Sequence, residues 1–320
     1  RDVTRAARVW WTALQVLLLV ATLVWGGAAL RAQWAPLREV AAATPIGWGW
    51  VVIASLIVLG TYAMLIQSWR MLLAGWGSPL GYAAAVRVWT IANLGRWIPG
   101  KVWSVGALGV LARREGVSGV SAAGAAILGT LLNLGAGFGI LAVSGTRVLG
   151  VFRPWLQTAA LAVSVCFVVG TLALPRMLPP VLARVARWRG IAGPDQQLPV
   201  GTLWLSTAIN ALSWVCYGLA FAALARGITP QLTASPSVFI VVWTSSYLLG
   251  YLALFAPGGL VVREGVIVAG LVAMGLAGNA DATLLALGSR LWLTVLEILP
   301  GLIALLVSAD WMRPAAGRTP

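Results

Sequence analysis

The chain has 320 residues, of which 60% are hydrophobic and 9% are charged. Soluble globular domains carry about 25% charged residues, so this composition excludes a water-soluble protein and indicates an integral membrane protein. The formal net charge is +14, but the basic residues lie between apolar stretches and form no basic domain. We therefore expect no nucleic-acid partner and interpret the charge as the positive-inside pattern of membrane proteins, with attraction to anionic lipid head groups.

Apolar runs predict six simple helices within a single membrane domain, residues 1–320. A helix of about 20 residues crosses the ~30 Å hydrocarbon core of a bilayer. Reading the runs against Pro, Gly and Arg places these helices at 9–30, 46–72, 118–144, 154–174, 200–225 and 280–309. The predicted fold class is therefore an all-α, multi-pass integral membrane protein.

Two further apolar regions, 82–114 and 236–276, are interrupted by proline and glycine. The interruptions are Pro99-Gly100 in the first region and Pro257-Gly258-Gly259 in the second. Proline lacks the amide proton that continues a helix, and open backbone at membrane depth is tolerated only inside protein or beside a wet cavity. Each region is therefore predicted to form two half-helices or a re-entrant hairpin.

The two interrupted regions resemble each other, which predicts an internal repeat. A shift of about half the chain superimposes the two Pro-Gly pairs, and residues 116–134 then match residues 275–293 at several glycine, alanine and leucine positions. We predict copy one at about 46–144 and copy two at about 200–309, inverted because one extra helix separates them. Inverted repeats with paired broken helices are a recurrent transporter design. Coincidence between two low-complexity segments is the alternative.

The positions of the basic residues predict an orientation. If the N-terminus is cytoplasmic and each interrupted region returns to its own side, most of the 22 basic residues lie on the cytoplasmic side. The positive-inside rule then places both the N- and C-termini in the cytoplasm. The expected location is a bacterial-type cytoplasmic (inner) membrane.

Charged residues flank both interruptions. Arg96 and Lys101 surround the first, and Arg263 and Glu264 follow the second. The half-helix after each break presents unpaired amides and a positive dipole end, which is a site for phosphate or carboxylate. The alternative interpretation makes Arg96 and Lys101 interfacial anchors and makes Arg263 and Glu264 an ion pair at the rim.

The last predicted helix carries Arg290 and Glu297, seven residues apart and therefore on one face. A charge at membrane depth costs at least about 2.5–3.5 kcal/mol, so both should face a partner or a wet cavity. A purely structural pair within the bundle is the alternative. The predicted substrate-binding residues are Arg96, Pro99, Gly100, Lys101, Pro257, Gly258, Gly259, Arg263, Glu264, Arg290 and Glu297.

Other polar residues at membrane depth, such as Asn133 and Asn210, are explained by helix–helix hydrogen bonds. Histidine is absent, and neither cysteine has metal-ligand spacing. The sequence therefore predicts no catalytic residue, no metal ligand and no cofactor, and it favours a protein that is not an enzyme. It also lacks a Gly-x-x-x-x-Gly-Lys-Ser/Thr loop, so any transport would draw on gradients, ion coupling or downhill flow.

Three motifs carry a resemblance to a known family. They are Asn93-Leu94-Gly95-Arg96-Trp97-Ile98-Pro99-Gly100-Lys101-Val102-Trp103, the turn from Ala112 to Ser118, and Pro257-Gly258-Gly259 followed by Arg263-Glu264-Gly265. Over about residues 10–308 the chain resembles the lysylphosphatidylglycerol synthase transmembrane family, which includes the flippase half of the multiple peptide resistance factor. The resemblance implies a membrane domain with two re-entrant elements. Val261 departs from the family pattern, which often has a small residue there.

The resemblance implies a flippase-like transporter that moves an anionic phospholipid or lipid-linked substrate across the membrane. Bifunctional members carry a soluble aminoacyl-transfer domain after the membrane part. Nothing of that kind follows residue 312, so we expect a stand-alone member. The alternatives are a membrane enzyme that modifies a lipid or polyprenyl carrier with Glu264 or Glu297 as base, and a non-transporting partner subunit of a cell-envelope lipid complex. Besides the lipid, the expected partners are a second copy of the chain or an envelope-biosynthesis protein.

Overall fold

The computed structural model describes residues 45–97, 103–145, 198–253 and 259–308, together with Arg31 and scattered positions between 158 and 188. For Arg96, Trp97 and Trp103 only the backbone is described. Every regular element in these ranges is helical, so the predicted all-α fold class is confirmed. The predicted helix at 9–30 and most of the one at 154–174 lie outside the described residues.

The long helices of the described ranges agree with the predicted spans, and shorter helices lie between them. The helices are α1 (Trp48–Gly75), α2 (Tyr82–Asn93), α3 (Trp103–Arg114), α4 (Gly119–Ser144), α5 (Val200–Ile228), α6 (Pro236–Leu252), α7 (Val262–Ala273) and α8 (Asn279–Val307). Helices α1, α4, α5 and α8 are long and apolar enough to cross a membrane. The chain is therefore a helical membrane protein.

Helices α2 and α6 end a few residues before the predicted interruptions, and α3 and α7 begin a few residues after them. Helix α2 ends at Asn93 and continues as the 3-10 turn Leu94–Trp97, while α6 ends at Leu252. Helices α2, α3 and α7 each have 12 residues, which at 1.5 Å per residue is about 18 Å and too short to cross the hydrocarbon core alone. The re-entrant path of these helices stays a prediction, because residues 98–102 and 254–258 lie outside the described part of the chain.

Helices α1 and α5 pack along their length in opposite directions. At one end, the N–H of Gly47 donates to the carbonyl of Gly227 at 2.8 Å. At the other end, Gly75 lies against Pro199. Ala54 of α1 is buried between these ends, against Leu224 of α5. Small residues allow this close approach, which is how helices associate in membranes, where no hydrophobic force drives them together.

The remaining helices pack around α1 and α5, and the contacts made by α2 match those made by α6. Helix α2 packs against α3 and α8, and α6 packs against α7 and α4. The order of one long, two short and one long helix occurs in α1–α4 and again in α5–α8. The division of the chain into two repeat copies stays a prediction.

The turns after α3 and α7 have the same backbone hydrogen bonds. In segments 112–117 and 271–276, the last residue donates its N–H to the carbonyl of the first, at 3.1 Å and 3.0 Å respectively. Gly116 and Gly275 occupy equivalent positions in these turns, with φ of 76° and 65°. Glycine adopts this left-handed conformation without strain, and it commonly ends helices. These two glycines are also aligned in the predicted repeat.

We expect Gly218→Ala to destabilise the bundle. Gly218 lies on α5 where α6 approaches, and a methyl group there would lie 2.4 Å from the Cα of Ile240. Because a backbone atom cannot move aside alone, the variant should lose about 1–3 kcal/mol, measured as a lower melting temperature in detergent. The control is Gly201→Ala on the same helix, where a methyl group meets nothing within 4 Å. Equal losses in the two variants would contradict the close packing of α5 and α6.

Candidate functional site

A cavity of about 260 Å³ lies among the helices, and all eight described helices contribute to its lining. Aromatic side chains from α1, α2, α5 and α6 form much of the surface, including Tyr62, Trp89, Trp214 and Tyr247. The charged lining residues among the described side chains come from α7 and α8, namely Arg263, Arg290 and Glu297. Both predicted repeat copies therefore face one shared cavity.

Arg263 is a buried basic residue that lies against two aromatic rings. It lies in the first turn of α7, is 7% exposed and lines the cavity. Its guanidinium carbon is 4.5 Å from the ring centre of Tyr247 and 5.1 Å from that of Trp243. Its Nε has no hydrogen-bond partner among the described residues. The rings stabilise the cation without neutralising its charge, so Arg263 keeps donor capacity for an anion.

Two glycines bring the backbone before α7 against α6 and leave room for the Arg263 side chain. A Cβ on Gly250 would lie 2.4 Å from the Arg263 Cγ, and a Cβ on Gly259 would lie 3.0 Å from the Gly250 Cα. Gly259 also has a φ of 70°, which favours glycine. Gly259 belongs to the predicted site, whereas Gly250 was missed. The sequence feature that could have indicated Gly250 is its position as a small residue between Tyr247 and Tyr251 on the same helix.

Val261, the position that departs from the family pattern, has a strained backbone. Its φ is 67°, a conformation that is rare for a β-branched residue. Such a conformation costs on the order of 1–3 kcal/mol. Because Val261 immediately precedes α7, the strain lies in the segment that positions Arg263.

Glu264 pairs with α8 instead of with its neighbour Arg263. Its Oε1 lies 3.6 Å from the Nε of Arg290, and both side chains are largely buried. The expected alternative, an ion pair between Arg263 and Glu264 at the rim, is therefore wrong: one side chain faces Trp243 and Tyr247 while the other faces Arg290. The reason is that neighbouring residues on a helix point in different directions.

Arg290 and Glu297 line the cavity together, as their shared helix face predicts. Glu297 is 8% exposed, so it is a buried acid within a candidate membrane span. The Arg290–Glu264 pair joins α7 to α8, and the nearby Glu297 adds a second acid to the same region. Of these four charged residues on α7 and α8, Arg263, Arg290 and Glu297 line the cavity, and Glu264 pairs with Arg290.

The first interruption approaches the same region through its 3-10 turn. A methyl group on Gly301 of α8 would lie 2.8 Å from the Leu94 side chain, and Asn93 lines the cavity. Arg96 belongs to this turn, but its side chain is not described. The other predicted site residues outside the described part of the chain are Pro99, Gly100, Lys101, Pro257 and Gly258, and their roles stay predictions.

Uncharged polar residues that the sequence interpretation assigned to helix packing also line the cavity. Asn133 donates to the Oδ1 of Asn210 at 3.0 Å, and Asn210 donates to the Oγ of Ser68 at 3.1 Å. These residues do link α4, α5 and α1, as expected. All three also face the cavity, a position that depends on helix rotation and is not visible in the sequence.

Comparison with protein families decides the classification. Residues 10–301 match the family described as "Lysylphosphatidylglycerol synthase TM region". The chain belongs to this family. The resemblance carried by the motifs around Pro99 and Pro257 is thereby confirmed, and the cavity described above lies in the transmembrane region of a lysylphosphatidylglycerol synthase family member. No curated protein matches the chain.

We expect Glu264→Gln to destabilise this family member by about 3 kcal/mol, because it removes the acid that lies 3.6 Å from the largely buried Arg290 guanidinium. The double variant Glu264→Gln, Arg290→Met should recover part of that loss, measured by melting in detergent as a double-mutant cycle. The control is Glu115→Gln. Its pair with Arg87 has the same separation of 3.6 Å, but Arg87 is 30% exposed, so the loss should stay below about 1 kcal/mol. Similar losses of stability in Glu264→Gln and Glu115→Gln would contradict the claim that burial makes the α7–α8 pair the more costly one to break.

Proposed function

We propose that the chain is a flippase-like transporter that moves an anionic phospholipid, or another anionic lipid-linked substrate, across the cytoplasmic membrane. Arg263 carries the proposal. It is a buried cation that lines the cavity, rests on aromatic rings and has donor capacity left over. Charges inside membrane proteins are expensive, and they mark substrate or ion pathways.

Arg263 has the chemistry to bind a head-group phosphate. Its planar guanidinium offers several N–H donors that match two phosphate oxygens at once. The first turn of α7 adds unpaired backbone amides and the positive end of its dipole, which also favour an anion. Because Arg263 is buried, these interactions are stronger than they would be at an exposed surface. We propose that Arg96 and Lys101 bring further positive charge from the first interruption.

The packing of the helices supports a transport mechanism based on two inverted copies. Helices α1 and α5 begin the two predicted copies and run antiparallel. The α2–α8 and α6–α4 contacts are reciprocal, and the turns after α3 and α7 share their hydrogen bonds. Rocking of one copy against the other would expose the shared cavity to each side in turn.

The ion pair between α7 and α8 is proposed to control access to the cavity. Glu264 holds Arg290 at 3.6 Å, and a phosphate at Arg263 would change the electrostatic balance of this cluster. Glu297, buried on the same face of α8 as Arg290, would compete for the cation that Glu264 releases. The α7–α8 contact would therefore differ between the empty and loaded states.

The test is a transport assay with the full chain reconstituted in vesicles that carry fluorescent anionic, zwitterionic or polyprenyl-phosphate lipids. We expect Arg263→Gln to slow transport of anionic lipid by about tenfold or more, because a charge-assisted hydrogen bond contributes about 1.5–3 kcal/mol. Lys101→Ala should slow the same lipids. The matched control is Arg226→Gln, since Arg226 also lies over a tryptophan, at 5.0 Å from Trp50, but outside the cavity.

Three possible results of this assay distinguish the competing functions. Unchanged anionic transport in Arg263→Gln and Lys101→Ala would contradict the phosphate site. Equal slowing in Arg226→Gln would show a general effect of removing basic residues. Absence of transport for every lipid by the unaltered chain would contradict the transporter proposal and favour a lipid-modifying enzyme or a partner subunit.

A further inference from the structure

A cluster of uncharged polar side chains also lines the cavity. These side chains lie on α1, α4 and α5, whereas the charged lining residues lie on α7 and α8. We call this cluster the amide patch, and it comprises Ser68 on α1, Thr130 and Asn133 on α4, and Asn210 on α5. The proposed phosphate site, by contrast, is built on α7 and α8. The cavity therefore has a charged region and a neutral hydrogen-bonding region.

The hydrogen bonds of the amide patch determine which atoms it offers. Asn210 donates to the carbonyl oxygen of Ser206 at 2.8 Å, which only its amide nitrogen can do. Its oxygen must then face Asn133, which donates to it at 3.0 Å. The amide nitrogen of Asn133 is thus used within the network, and no described residue donates to its carboxamide oxygen. That oxygen is an acceptor available to a ligand.

Thr130 presents a second acceptor. Its hydroxyl donates to the carbonyl of Ala126 on its own helix at 2.8 Å, so its proton is occupied while its oxygen lone pairs remain available. Thr130 lies three residues from Asn133 on α4, and therefore on the same face. Both residues line the cavity. This face of α4 offers neutral acceptors, which require hydrogen-bond donors on the ligand.

Aromatic rings connect the amide patch to Arg263. Trp214 donates its Nε1 to the carbonyl of Asn133 at 2.8 Å. The Trp214 ring centre lies 5.4 Å from that of Tyr247, and Tyr247 lies 4.5 Å from the Arg263 guanidinium. These rings therefore lie between the proposed phosphate site at Arg263 and the acceptor on Asn133. Aromatic rings also pack well against the carbon framework of a polar molecule.

We propose that the amide patch binds hydroxyl groups of the substrate, so that the transported head group is a phosphorylated polyol or sugar. The assignment rests on the proposed function, because it takes Arg263 as the phosphate site. Neutral acceptors satisfy neutral hydroxyl donors, whereas none of the four amide-patch residues carries the negative charge that a buried ammonium group requires. The cavity volume of 260 Å³ is close to the lower end, about 300 Å³, of ligand pockets. It therefore holds a head group while the acyl or prenyl chains stay in the membrane.

The test measures binding of soluble head-group analogues to the purified full chain by calorimetry. The probes are glycerol 3-phosphate, n-propyl phosphate, which has the same carbon count without hydroxyls, and 2-aminoethyl phosphate. We expect glycerol 3-phosphate to bind about fivefold more tightly than propyl phosphate, as one or two neutral hydrogen bonds provide. Asn133→Leu and the isosteric Thr130→Val should each reduce this preference and leave propyl phosphate affinity unchanged.

The control variant is Ser213→Ala. Ser213 belongs to the same network, at 3.5 Å from the amide nitrogen of Asn133, but does not line the cavity, so its loss should leave the preference intact. Equal affinities for glycerol 3-phosphate and propyl phosphate would overturn the hydroxyl site and leave the phosphate site intact. Tightest binding of 2-aminoethyl phosphate would overturn it in favour of an ammonium site. Failure of all three phosphates to bind, with Arg263→Gln no different, would overturn the proposed phosphate site itself.

Discussion

A positive charge that is buried within an apolar bundle is the constraint on which the candidate site depends. Arg263 cannot be left in hydrocarbon without compensation, and the structure meets this requirement by placing it over Trp243 and Tyr247 and opening it to the cavity. The side chain reaches this position because Gly250 and Gly259 leave space for it. Strain at Val261 adds to the cost of the arrangement, and strain of this kind concentrates at functional sites.

The scaffold around this charge is organised by the antiparallel packing of α1 and α5. These two helices contact each other from Gly47 at one end to Gly75 at the other. This contact holds the helices α1–α4 in position against the helices α5–α8. The short helices then pack on the long helices of the opposite group, α2 on α8 and α6 on α4. As a result the cavity is not enclosed by either group alone, and relative movement of the groups would change its shape and access.

The sequence predicted the helices well because their determinants are local. The length of the apolar runs predicted the four long helices of the described ranges. The proline and glycine pairs predicted that α2 and α6 end before residues 99 and 257, and the matched glycines Gly116 and Gly275 both adopt positive φ. Side-chain partners were predicted less well, because they depend on how helices rotate against one another. Glu264 therefore pairs with Arg290 instead of Arg263. For the same reason Asn133 and Thr130 face the cavity, although their sequence context indicates only polar residues in an apolar helix.

The central claim is that Arg263 binds the phosphate of a membrane lipid inside the cavity between the two helix groups. The most direct measurement is an experimental structure of the full chain in a lipid nanodisc that contains phosphatidylglycerol. The account predicts head-group density within the cavity, with phosphate oxygens about 2.7–2.9 Å from the Arg263 guanidinium nitrogens. Head groups found only at the bilayer surfaces, with α2–α3 and α6–α7 as continuous spans and Arg263 against acyl chains, would contradict it.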